Sequence, residues 1–186
     1  MSKLTAGVES VVWPAFDDAV LRAMAKWPDV PQCFGWLSLD ERGRWRIQGE
    51  LIQHARAQTF LARHYRADAQ GRWYVQNGPQ QVFVALDYTP WVYRWQPSEV
   101  FTTHTGIEVH ELRGAYLDDD GNLLLDTVLG PGVLDSRDLV ACEPLLECDA
   151  GARPCTLRWA GRRLPVTTLA RAKVAAHFGF VTDPTA

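Results

Sequence analysis

The residue types best suited to chemistry fall in one short run, His104-Thr105-Gly106-Ile107-Glu108-Val109-His110-Glu111. Imidazoles next to carboxylates suit metal ligation or proton transfer. His104 and His110 could share an ion with Glu108 as third ligand. In an unrecognised enzyme they would work as acid–base groups with Glu108 or Glu111. The alternative is two loop histidines in a solvent-facing turn. His110-Glu111-Leu112-Arg113-Gly114 begins like the zinc motif H-E-x-x-H, but Gly114 stands where the second imidazole is needed, and the segment reads as a strand. We therefore expect no metal and no cofactor, and we assign no catalytic residue.

Other motifs fail on spacing. Asp118-Asp119-Asp120-Gly121-Asn122 resembles a calcium loop, but counting back from Gly121 puts Tyr116 at the first ligand position. There is no G-x-x-x-x-G-K-[ST] to cradle phosphate, no G-x-G-x-x-G and no G-x-S-x-G nucleophile elbow. Lys3, Lys26 and Lys173 offer no obvious Schiff-base candidate. Neither Cys33 nor Cys142 can be paired with a histidine from spacing alone. Cys148 and Cys155 complete the cysteines, and no C-x-x-C occurs. Met1–Gly7 is polar and no apolar leader follows it, so a cytoplasmic location with reduced, buried thiols is expected. No apolar run of about 18 residues suggests membrane insertion.

Aromatic residues are the less ordinary feature, with 8 Trp in 186 residues. Some must form the core. A cluster left exposed would suit a protein or peptide interface. Beside Arg44, Arg46 and Arg72, exposed rings could instead stack single-stranded bases. The segment 42–72 holds Arg42, Arg44, Arg46, Arg56, Arg63, Arg66 and Arg72 against Glu50 and Asp68. It is either an anion-facing surface or a solvated face. The net charge of −3 argues against a wholesale nucleic-acid binder.

The elements that must position these residues are read from turns and periodicity. The first dozen residues look loose. Val20, Leu21, Met24 and Trp27 predict a helix over about 15–26, ended by the Pro28–Pro31 pair. A D-x-x-G pattern occurs three times, at Asp40–Gly43, Asp68–Gly71 and Asp118–Gly121, each before a strand-like run. Asp bonding its own backbone and Gly supplying a positive φ predict hairpin tips. A helix is expected over 55–65, strands over 72–76 and 81–86 around an Asn77-Gly78-Pro79 turn, and an extended aromatic piece over 88–95. Strands are expected over 112–117, 122–126, 145–148, 154–159 and 162–166, with Gly130-Pro131-Gly132 a loop. A helix capped by Thr167 or Thr168 should run to about His177 and stop at Gly179. The chain reads as α+β, two small lobes, each a mainly antiparallel sheet with one helix. The divisions are an N-terminal extension over 1–33, one lobe over 34–96 and another over 97–186.

Taken together, Gly35-x-Leu37-x-Leu39-Asp40, Gly43-x-Trp45, Gly49-Glu50-x-Ile52, Phe60-Leu61, Asp68-x-x-Gly71-x-Trp73, Val82-Phe83-Val84 and Thr89-Pro90 resemble an uncharacterised proteobacterial family of unknown function. The likeness runs over about 34–180 as that of a relative or sister group. Asn77–Gln81 and Tyr88–Trp91 depart from the family pattern. The resemblance implies a duplicated fold, a C-terminal lobe like a pleckstrin-homology domain, and a ligand or protein in the interlobe cleft, in signal transduction. We expect a non-enzymatic binding or regulatory protein. Its partner is a protein or peptide rather than nucleic acid, and Arg44, Trp45, Trp73, Gln76, Asn77, Gln80, Tyr88 and Trp91 line the site. The alternatives are a nucleic-acid binder using the Arg-rich face 42–72 and an enzyme of unrecognised type.

Overall fold

The computed structural model of the chain describes residues 15–148 and 155–186. The expected loose start and Pro154 at the head of one expected strand lie outside the described residues.

The chain is α+β, built on two sheets. Helix α1 (Asp18–Lys26) leads into β1 (Cys33–Leu39), β2 (Trp45–Ile47) and β3 (Glu50–Leu51). Helix α2 (Ala55–His64) precedes β4 (Tyr65–Ala67), β5 (Trp73–Asn77) and β6 (Gln80–Leu86). These strands form the first sheet, in the order β3-β2-β1-β6-β5-β4. The second comprises β7 (Trp91–Trp95), β8 (Phe101–Thr103), β9 (Leu112–Leu117), β10 (Leu123–Thr127), β11 (Gly130–Leu134), β12 (Leu146–Glu147), β13 (Thr156–Trp159) and β14 (Arg162–Thr168). Its order is β12-β13-β14-β9-β10-β11-β7-β8. Helix α3 (Leu139–Cys142) and helix α4 (Val174–Phe178) are short.

All three D-x-x-G segments are hairpin tips with one shared geometry. The carboxylates of Asp40, Asp68 and Asp118 each accept the backbone N–H two and four residues ahead, at 2.8–3.0 Å. Gly43, Gly71 and Gly121 follow at φ +72°, +75° and +83°, a left-handed conformation that a side chain disfavours. The second carboxylate oxygen takes Arg44 Nε, Arg72 Nε or Asn122 Nδ2. Each tip is thus a self-satisfied unit that closes its hairpin locally.

Hairpins account for most pairings, yet β1 runs parallel to β6, β11 to β7 and β14 to β9. The sheets are therefore mixed. The chain changes sheets between Leu86 and Trp91, so β7 already belongs to the second sheet although it falls within the expected lobe over 34–96. Beyond α4 the chain returns to the first sheet, where Val181 N–H donates to Gly71 O and Leu86 N–H to Thr182 O. Core residues run through both sheets in one cluster.

Three local expectations are corrected. Gly130-Pro131-Gly132 is not a loop but the start of β11. A Cβ on Gly132 would lie 2.6 Å from Trp91 O, so glycine here lets two backbones approach. The final helix is not capped by Thr167 or Thr168, because both continue β14 beside β9. A single 3-10 turn at Arg171–Lys173 precedes α4, and Gly179 ends it at φ +71°. Cys148 and Cys155 are not free thiols. Cys148 directly follows Glu147 and Cys155 directly precedes its paired residue Thr156, so the two stand where the connection between β12 and β13 leaves the strands, and they form a disulfide. Cys33 and Cys142 are free, and burial pushes the Cys142 thiol up to about 12.

Candidate functional site: a cleft between the two lobes

The first tip sets one wall of a cleft. Asp40 holds its own turn, and Gly43 lets the loop lie flat against the segment that follows β8. Arg44 and Trp45 leave that tip. Gln58, Thr59, Ala62 and Arg63 come from the neighbouring face of α2, and His104, Thr105 and Ile107 come from the second lobe. They enclose an open cavity of about 490 Å³.

Two guanidinium groups dominate its polar lining. Arg44 gives its Nε to Asp40 at 2.8 Å and is otherwise largely exposed. Arg63 gives its Nη1 to both carboxylate oxygens of Asp17, at 2.9 and 3.2 Å. Other polar groups in the wall are already engaged. Gln58 donates to Ile52 O, Thr59 to Ala55 O, and the Thr105 hydroxyl pairs with that of Thr103. Asp40 is shared, since Arg46 Nη2 lies 3.4 Å from it. Burial raises the Asp40 carboxyl, but the N–H groups of Arg44 and Arg42, then the Arg44 guanidinium, outweigh it and hold the group below its ordinary value.

The cleft floor is aromatic. His104 Nδ1 accepts the Val92 N–H at 3.3 Å, which puts the imidazole proton on Nε2. That Nε2 is buried without a hydrogen-bond partner among the described residues. The rings of Trp91, Trp45 and Tyr65 lie 5.4, 5.6 and 5.8 Å from the His104 ring. Burial depresses its pKa to about 3, with Asp40 opposing, so the ring is neutral. It is too enclosed for a proton shuttle. His110 is solvent-exposed and sits 3.8 Å from Glu108. No group of three or more His, Cys, Asp or Glu able to hold a metal occurs among the described residues.

The expected lining does not converge on one surface. Arg44 and Trp45 reach the cleft, though Trp45 is almost wholly buried. Trp73 and Trp91 are core, meeting edge-to-face at 5.1 Å, and Trp91 Nε1 donates to Leu129 O. Gln76 is buried and donates to Gly78 O, while Gln80 donates to Pro31 O. Asn77 borders a separate apolar groove of about 300 Å³ with Trp36, Ile47, Ile52, Phe60 and Leu61. Tyr88 lies in a third cavity, of about 500 Å³, with Asp87, Asp119, Asp120 and Arg171. There its hydroxyl donates to Asp118 and its ring lies under Arg171. The sequence reading missed Arg63, Gln58, Thr59 and Thr105. Arg63 carried a signal, as part of the Arg-rich stretch, but nothing local tied it to residues 104–107.

The Arg-rich stretch is not one open basic face. Arg44 and Arg46 share Asp40, Arg63 pairs with Asp17, Arg72 with Asp68, and Arg66 lies over the Phe16 ring at 3.5 Å.

The chain belongs to the DUF2944 family, described as "Protein of unknown function (DUF2946)", whose profile matches residues 16–185. Among curated proteins, none matches. Its fold resembles that of a DUF1285 family protein from Silicibacter pomeroyi DSS-3, with a TM-score of 0.56, 17% identity, and 84% of this chain and 88% of that one covered. A DUF1285 family protein from Shewanella baltica OS155 aligns with a TM-score of 0.43 and 18% identity, covering 56% of this chain and 87% of that one. Among the described residues, no helix is long and apolar enough to cross a membrane.

Proposed function

We propose that this protein is a non-enzymatic binding module that holds a protein or peptide segment in the cleft between its lobes. One observation carries the reading: a cavity of about 490 Å³ is walled by α2 and the first tip on one side and by residues 104–107 on the other. Such a site forms only when both lobes are in register, which suits a regulatory role in signal transduction. A peptide that bridges the walls would fix the lobes relative to each other. We read the two lobes as related copies, because both carry the D-x-x-G hairpin and join antiparallel units through parallel pairs. The second sheet, with α4 after its last strand, is the lobe we take as similar to a pleckstrin-homology domain.

The nucleic-acid alternative draws less support, since most arginines of 42–72 are partnered within the chain and the net charge is −3. The enzyme alternative loses its acid–base pair when His104 is buried and neutral while His110 faces solvent. The expected cytoplasmic setting is weighed against the Cys148–Cys155 bridge, because such bridges persist mainly in oxidising compartments.

The test is affinity capture from lysate with and without nuclease, using the unaltered protein and a Thr59→Trp variant that fills the cleft. A partner that survives nuclease and is lost with Thr59→Trp supports the reading. A partner retained by that variant, or lost with nuclease, removes it.

A further inference from the structure

We infer that the cleft selects a carboxylate-bearing ligand, an acidic peptide segment whose Asp or Glu side chains are taken by Arg44 and Arg63; this rests on the binding-module reading above. Those two guanidinium groups are the charged donors in the wall with capacity left; the His104 Nε2–H lies buried beneath them, and Gln58 keeps one amide N–H. Asp40 takes only the Nε edge of Arg44, and Asp17 takes only the Nη1 of Arg63. Each head group is thereby oriented while N–H groups remain for a second acceptor, and a guanidinium can serve two carboxylates through different edges. The hydroxyls of Thr59 and Thr105 already have partners, and Gln58, a neutral amide with one N–H given to Ile52 O, carries no charge with which to favour a carboxylate.

Position rather than net charge points the same way. Arg46 is shared by Asp40 and the nearby Asp87, whereas Arg44 and Arg63 line the cavity itself and keep unengaged guanidinium edges there. The neutral His104 beneath adds an aromatic floor rather than a third cation. A side chain with a short methylene stem and a charged tip fits that layering. The stem rests on Trp45 and Ile107, and the carboxylate meets the arginines at the mouth. A polynucleotide needs a continuous basic track with accessible rings, and Trp73 and Trp91 are buried.

The experiment titrates the full chain with a fluorescein-labelled hexaglutamate peptide, a hexaglutamine peptide and a single-stranded RNA hexamer. Arg Nε–H and Thr105 signals are followed by NMR. Hexaglutamate should shift the Arg44, Arg63 and Thr105 signals and saturate. Arg44→Gln and Arg63→Gln should each weaken it about tenfold. Arg56→Gln, the same charge change on α2 outside the cleft, should leave it within about twofold. Equal weakening by Arg56→Gln means general attraction and overturns the inference. Hexaglutamine binding in the cleft without hexaglutamate binding overturns the carboxylate preference and leaves the binding module standing. RNA shifting these signals more strongly than hexaglutamate overturns the inference in favour of nucleic acid. No cleft signal moving with any probe removes both readings.

Discussion

Gly43 and His104 touch across the lobe boundary: a Cβ built on Gly43 would stand 2.5 Å from the Cβ of His104. The residue also sits at φ +72°. Gly43→Ala should therefore combine backbone strain with a steric push on the buried imidazole. Gly121→Ala carries the strain alone, because its φ is +83° and nothing lies within 4 Å. Urea unfolding should give a loss of about 1 kcal/mol for Gly121→Ala and about 2–4 kcal/mol for Gly43→Ala. Equal losses would mean the lobes do not meet at this contact.

His104 gives the fold a pH dependence of known sign. Burial lowers its pKa to about 3, below its ordinary value of 6.5. The unfolded chain therefore takes up a proton first as pH falls. Its contribution to stability is complete above about pH 6.5 and is lost between there and pH 3. From pH 7.5 to 5 the loss from this one group is about 2 kcal/mol. Unfolding midpoints of His104→Phe at those two pH values should differ less than those of the unaltered protein. A parallel pH dependence would show that the imidazole is charged or solvated in the folded state.

The tip carboxylates act lower on the pH scale. Burial raises the Asp118 carboxyl, but the Asn122 amide, the Tyr88 hydroxyl and the N–H groups of Asn122 and Asp120 outweigh it and hold it below its ordinary value. Asp40 behaves alike through Arg44 and Arg42. A depressed carboxyl stabilises above its unfolded pKa of about 4, and that stability drains away as pH falls through the folded value. Asp118→Asn keeps one acceptor for the turn and loses the charge, so it should cost about 1–2 kcal/mol at pH 7 and less below pH 3. Acid titration by circular dichroism, variant against unaltered protein, checks that convergence.

What was legible in the sequence was what neighbours decide. Asp40, Asp68 and Asp118 bond to their own loops, so the three tips could be read from four residues each. Gly179 ended its helix for the same local reason. The parallel pairing of β1 with β6 joins Leu37 to Val84 across the whole first lobe, and no short-range pattern encodes it. Gly130-Pro131-Gly132 has loop composition, yet its strand is dictated by the distant Trp91 backbone. Aromatic spacing marked Trp45, Trp73 and Trp91 as unusual but could not say what would cover them: Trp73 and Trp91 cover each other, and Trp45 packs on Tyr65 and His104. The cleft itself joins Arg63 to residues 104–107, a relationship that exists only after both sheets have formed.

Cysteine chemistry gives a direct count. In denaturant without reductant, Cys33 and Cys142 should react with a thiol reagent while Cys148 and Cys155 should not. After reduction all four should react. In the folded protein Cys142 should stay silent, because it is buried and its thiol is pushed up to about 12. Four reactive thiols in the oxidised, denatured protein would place the β12–β13 hairpin end without its bridge.

Trp91 decides whether the ring cluster is a recognition surface or a core. Its ring is 0% exposed, it packs on Tyr65 and Trp73 from the first sheet at 5.3 and 5.1 Å, and its Nε1–H donates to Leu129 O at 2.8 Å. Removing it should open a cavity at the junction of both sheets and leave a carbonyl without its donor. Trp91→Ala is expected to cost about 3–5 kcal/mol, close to the whole stability of many domains of this size. Trp91→Phe keeps most of the volume and should cost less, so it supplies a folded variant for comparison. If Trp91 serves the fold, Trp91→Phe lowers the unfolding midpoint while hexaglutamate titration of the cleft is unchanged. A variant of unaltered stability with weakened peptide binding would instead make Trp91 a contact residue, and the aromatic floor would have to open on binding.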